Sequence, residues 1–168
     1  MKTPICTFDA KTGILCNMCE NKLYTGQITK TDVDGSIILT KLAQKNQDID
    51  KMTLIGSKEI DNEIILIFKS FDVRRIRTNI KLFELILNTF KKNVWIVESD
   101  SNDRRFLENL FYPVLIDSVN FVWLPDGHKL TRVVLDKKMG NMKENTVDTI
   151  KKICLSLRKI DLIIETQV

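Results

Sequence analysis

Two stretches of the chain, residues 30–98 and 102–166, pass through the same series of hydrophobic periods: helical, strand, strand, helical, strand. Segments this short cannot bury their apolar stripes alone, and a small sheet with helices on one face is the natural arrangement that covers them. The order therefore predicts an α+β protein built of two αββαβ units. The repetition lies in element order; residue identities echo only faintly, as in KKNVWIVES against LRKIDLIIET.

In the first stretch, ITKTDVDGSIILTKLAQ carries Val33, Ile37, Ile38 and Leu42 at helical spacing, which predicts a helix over about 30–44 with Thr31 and Asp32 as start signals. The polar QKNQDID reads as a loop. KMTLIGSKEI and EIILIFKS then read as paired strands around a tight turn at Asp61 and Asn62. IRTNIKLFELILNTFKKN sets Ile76, Ile80, Phe83, Leu87 and Phe90 on one face of a single helix, and NVWIVES follows as a strand.

In the second stretch, Ser101, Asn102 and Asp103 start a short helix whose stripe is Phe106, Leu107, Leu110 and Phe111, ending before Pro113. VLIDSVNFVWL and KLTRVVL form a hairpin across Pro125-Asp126-Gly127. ENTVDTIKKICLSL places Val147, Ile150, Ile153 and Leu157 on one helical face, capped by Asn145 or Thr146, and KIDLIIET closes as a strand. Trp95 and Trp123 fall in strand patterns, where apolar neighbours favour packing over a base-stacking role.

The chain of 168 residues holds both units and a short N-terminal segment, which divides it into residues 1–28, 29–100 and 101–168. Its 43% hydrophobic and 29% charged residues suit a globular protein, and no apolar run reaches the roughly 18 residues of a membrane span, so no membrane partner is expected. MKTPICTFD lacks an apolar region behind its lysine, which predicts a cytoplasmic protein. The formal charge of +4 permits a nucleic-acid partner without requiring one. His128 is the sole histidine and falls in a hairpin turn, and no phosphate-loop, nucleophile-elbow or zinc-protease motif is present. The expectation is a protein without catalytic activity.

In a reducing compartment the four cysteines are thiols or metal ligands rather than a disulfide framework. Cys6, Asp9, Cys16 and Cys19 follow the spacing of a structural zinc site, with a carboxylate in the place of one thiolate. Zinc accepts carboxylate oxygen in tetrahedral sites, so Asp9 is an admissible ligand. Two readings stand: a zinc that pins a segment too small for its own core, or small buried apolar side chains. Cys154 lies beside a helical apolar stripe and reads as core.

The segment LFYPVLIDSVNFVWLPDGHKLTRVVLDKKMGNMKENTVDTIKKI resembles the second K-homology module of archaeal NusA-like transcription elongation factors. Tyr112-Pro113-Val114 matches the family's opening before two strands, and Thr131-Arg132-Val133-Val134 resembles its second strand. IILIFKSFDVRRIRTNIKLFELILNTFKKNVWIVE is similar to the first module, and residues 100–111 to the helix between modules, so the resemblance covers roughly residues 50–168. It implies two K-homology-like units of type II. The Cys-rich start resembles a zinc-knuckle-like extension of related proteins, Cys-x2-Cys-x6-Cys-x2-Cys, here with Asp9 at the second position.

K-homology modules clamp single strands with Gly-x-x-Gly, since two glycines let backbone and helix N-terminus approach the phosphates. The corresponding stretch of the second module is Gly140-Asn141-Met142-Lys143, with lysine in place of the second glycine. In the first module it is Arg74-Arg75-Ile76-Arg77-Thr78-Asn79, without glycine. The resemblance thus implies RNA contacts by side-chain charge at Arg74, Arg75, Arg77, Lys137, Lys138 and Lys143, with Gly140 and Asn141 in the loop. The expected function is binding of single-stranded RNA in transcription elongation or termination. The competing reading is a protein-interaction module that contacts RNA polymerase or another factor and has lost RNA binding.

Overall fold

The computed structural model describes residues 1–136 and 143–166, the side chain of Thr166 excepted. Lys137, Lys138, Gly140 and Asn141 lie outside the described residues. The chain divides into two compact units, Met1–Ser101 and Asn102–Val168, each with its own three-stranded sheet.

The first unit begins with two short helices, α1 (Thr7–Thr12) and α2 (Asn17–Tyr24), followed by α3 (Lys30–Ala43). Thr29, rather than Thr31 or Asp32, caps α3: its hydroxyl accepts from Asp32 N–H while the Asp32 carboxylate accepts from Thr29 N–H at 2.7 Å, a reciprocal capping box. QKNQDID is not a loop throughout. Asn46 accepts from Asp48 N–H and Ile49 N–H, nucleating the one-turn helix α4 (Gln47–Asp50), which drives Ile49 into the core.

Strands β1 (Leu54–Ile60) and β2 (Glu63–Phe68) pair antiparallel, and both turn residues, Asp61 and Asn62, take positive φ, as a two-residue hairpin matched to the strand twist requires. Strand β3 (Val94–Glu98) joins β2 in parallel, which requires a crossover, here supplied by α5 (Ser70–Thr78) and α6 (Ile80–Thr89). The single helix expected over this stretch is broken. Asn79 is extended, at φ −111 and ψ 95, and its side chain accepts from Leu82 N–H to start α6. The break buries Ile76 and exposes Ile80, so the two do not share one stripe. Leu39, Met52, Leu66, Phe68, Val73, Ile76 and Ile86 fill the core between sheet and helices.

In the second unit, α7 (Asp103–Phe111), β4 (Ile116–Trp123), β5 (Lys129–Leu135), α8 (Glu144–Arg158) and β6 (Asp161–Thr166) follow in the αββαβ order. β4 and β5 are antiparallel, β5 and β6 parallel, so the sheet repeats the pairing of the first. Asn102 caps α7 by accepting from Arg105 N–H at 2.8 Å, and Phe106, Leu107, Leu110 and Phe111 are buried as their spacing predicts. α8 starts earlier than expected. Its cap position is Lys143, not Asn145 or Thr146, and Lys143 makes no side-chain capping bond. Cys154 is wholly buried, and burial pushes its thiol up to about 12, as suits a core cysteine. Among the described residues, no helix is long and apolar enough to cross a membrane.

Candidate metal centre and nucleic-acid interface

Cys6 and Cys16 occupy the cap positions of α1 and α2, and Asp9 and Cys19 stand three residues further on. Side chains at this spacing lie on one side of a helical turn, so each short helix offers a pair of donors. The pairs converge. One ligand atom from each of the four residues lies within 4.8 Å of every other. Three sulfurs and one oxygen at that separation surround a single ion: a tetrahedral zinc with Zn–S of about 2.3 Å needs sulfurs about 3.8 Å apart, a small inward adjustment.

The surroundings suit anionic ligands. Cys6 N–H points at Cys19 Sγ at 3.4 Å, and Asp9 N–H at Cys6 Sγ at 3.5 Å. Backbone donors of this kind stabilise thiolates and orient them, the role that supporting hydrogen bonds play around metal ligands. Asp9 is fully buried; its Oδ2 accepts from Cys16 N–H at 3.0 Å, while Oδ1 has no hydrogen-bond partner. A buried carboxylate oxygen left without a donor is costly, and a cation would satisfy it.

Without metal, the nearby Cys19 thiol, then Cys16 N–H, hold the Asp9 carboxyl down to about 2 against the opposing effect of burial. No thiol reaches hydrogen-bonding geometry with Oδ1, yet all three stand near enough to favour the anion. Burial first, and the Asp9 carboxylate second, push the Cys19 thiol up to about 12. The residues therefore fit zinc as three thiolates and one carboxylate, with loss of thiol protons on binding. What the ion would hold is clear from the packing. Ile5, Ala10, Cys19 and Ile28 form a small apolar cluster with Val33 of α3, which holds this N-terminal segment to the rest of the first unit together with the Lys2–Thr53 bridge and the Met1 amine–Asp50 ion pair.

The arginines expected in a loop lie instead on the last two turns of α5. They do three different things. Arg74 is exposed. Arg75 pairs with Asp48 at 3.3 Å and stacks over Phe71, 5.9 Å from the ring centroid. Arg77 is half-buried and donates from Nη2 to Ile96 O at 3.3 Å, tying α5 to β3. Arg74 and Arg75, with Asp48, Phe71, Thr78 and Asn79, line an open hollow of about 280 Å³ at the junction where α6 begins. Lys143 stands exposed in the second unit at the start of α8.

Two features were missed by the sequence reading. The first is the set of backbone donors around the sulfurs, which no residue type announces. The second is Trp123, expected to pack but 69% exposed, beside the 48% exposed Phe121. Their i, i+2 spacing was the available signal. Trp95, by contrast, is half-buried, with Nε1 donating to Glu63 at 2.8 Å.

No family model matches the chain, and no curated protein matches it. Among solved structures, the chain is similar to one described as "Crystal structure of APE1850", at 17% identity and a TM-score of 0.45, covering 77% of this chain and 95% of that one.

Proposed function

We propose that this protein binds single-stranded RNA through K-homology-like units, without catalysis, and acts in transcription elongation or termination with a zinc-stapled N-terminal segment. The observation that carries the reading is the α5–α6 junction. Arg74 and Arg75 stand beside the start of a ten-residue helix, whose dipole adds a positive end to the exposed Arg74 guanidinium, while Arg75 shares its charge with Asp48 in the same hollow. With Asn79 where a glycine clamp would allow close backbone approach, the attraction comes from side-chain charge, so affinity is expected to be salt-sensitive and weakly selective.

The experiment is an RNA titration of the full chain at several salt concentrations. Binding at low salt that falls steeply as salt rises is the expected result, and Arg74→Glu should weaken it. Absence of binding at every salt concentration would reject the reading.

A second reading, a protein-interaction module that contacts polymerase or another factor, draws on the N-terminal segment. Phe8, Ile14, Met18 and Tyr24 are between 69% and 92% exposed there. RNA-independent retention on purified polymerase would favour it.

A further inference from the structure

We infer that the β4–β5 hairpin of the second unit is a base-stacking platform for single-stranded RNA, formed by Phe121 and Trp123 with Lys129 as its phosphate contact. The inference rests on the RNA-binding reading above and assigns it a second, uncharged mode of contact.

Phe121 and Trp123 are two residues apart on one strand, so both project from the same face of the sheet. That face is covered at its other end. Leu135, Val133 and Thr131 on β5 are at most 3% exposed, but the cover stops before Lys129, and Phe121 and Trp123 emerge at 48% and 69% exposure. Lys129 lies over the Phe121 ring, so Trp123, the more exposed of the two, offers the open face on which a base can stack. An aromatic face suits a nucleobase of any sequence.

The charge beside the rings is cationic. Lys129, directly opposite Trp123 in the ladder, holds its Nζ 4.0 Å from the Phe121 centroid and 4.0 Å from Asp103. Arg158 also reaches Asp103, at 3.2 Å, and lies over Phe106 at 4.5 Å. The exposed Lys129 thus stands as a cation next to two exposed rings. A phosphodiester strand supplies both complements, whereas an apolar protein segment would leave the cations unmatched.

The test uses the full chain and a 12-nucleotide single-stranded RNA of mixed sequence, titrated from low to moderate salt. Trp123→Ala should weaken binding about 5- to 150-fold, the usual effect of losing one base stack. The slope of log affinity against log salt should not change, because no phosphate contact is lost. Trp123→Phe should recover part of the affinity. Lys129→Glu should make the slope shallower by about 0.7. If the wild-type chain binds and Trp123→Ala and Phe121→Ala bind equally well, the platform is overturned while RNA binding stands, and the hairpin is left as a protein contact. If the wild-type chain binds no RNA at any salt, both readings fall.

Discussion

Asp9 and Cys16 are joined by a hydrogen bond that uses only half of a buried carboxylate: Cys16 N–H donates to Oδ2 at 3.0 Å, Oδ1 has no hydrogen-bond partner, and a carboxylate oxygen lies within 4.8 Å of all three thiol sulfurs. The bond anchors the carboxylate beside the thiols and leaves it a buried oxygen that a zinc ion would satisfy. Asp9→Asn, which keeps an acceptor for Cys16 N–H but removes the charge, should weaken zinc binding by at least about tenfold, while Asp9→Cys should retain it. Competition with a chromogenic chelator measures both. Equal affinity in Asp9→Asn and the parent would exclude Asp9 as a ligand.

Metal removal should act on the first unit. Among the described residues its N-terminal cluster has only five buried apolar side chains, all small or medium, Cys19 itself among them. A segment with so little core depends on its staple. Treatment with a chelator is expected to release α1 and α2 from α3, read as increased amide exchange over residues 5–28 with α7 and α8 unchanged.

Acid should weaken both the metal-free and the metal-loaded protein, whereas rising pH should act on them in opposite senses. In the metal-free chain, Asp9 is lowered from 3.8 to about 2, so its contribution to stability is full above about pH 4 and is lost as pH falls through 2. Cys19 is raised from 9.0 to about 12, so its contribution is full below about pH 9 and is lost as pH rises through 12. Zinc must displace protons from such thiols, so its affinity should climb with pH across the neutral range. Denaturation of the metal-free protein and chelator competition, each followed against pH, separate the two effects.

Asp32 joins α3 to the edge of the first sheet. Its Oδ2 accepts from Thr29 N–H at 2.7 Å and its Oδ1 from Ser57 N–H at 2.5 Å, so one side chain caps a helix and satisfies an edge strand. Asp32→Ala should cost about 2 kcal/mol, combining a lost cap with an unpaired strand donor. Gly35 lies close by. A Cβ there would stand 2.7 Å from Ser57 Oγ, which donates to Thr31 O at 2.7 Å. Gly35→Ala should destabilise by roughly 1 kcal/mol net, since the crowding exceeds the helix-propensity gain. Combined with Ser57→Ala, it should cost less than the two separate losses together, as measured by urea unfolding.

The arginines of α5 should separate by assay. Arg74→Ala should lower RNA affinity and flatten its salt dependence, with stability changed by no more than about 0.5 kcal/mol, as expected of an exposed side chain. Arg77→Ala removes a half-buried donor to Ile96 O and should cost about 1–3 kcal/mol of stability with little effect on the salt slope. The opposite pattern would place Arg77, not Arg74, at the RNA.

The sequence alone determined the features that depend on near neighbours. Phe106, Leu107, Leu110 and Phe111 repeat at a helical period, Asp61 and Asn62 tolerate the positive φ of their turn, and the spacing of Cys6, Asp9, Cys16 and Cys19 marks a candidate metal site, all among residues close together in the chain. Tertiary structure decided what depends on distant partners. Asn79 breaks a stripe that looks continuous because Ile76 finds the core and Ile80 does not. Arg77 is structural because Ile96, nineteen residues on, brings a carbonyl to its guanidinium. Trp123 stays exposed because the cover over its sheet face reaches Thr131 but not Lys129, its partner across the ladder. The spacing named Asp9 as a candidate ligand, but its burial and its unpaired Oδ1 arise from packing and leave no local trace in the chain.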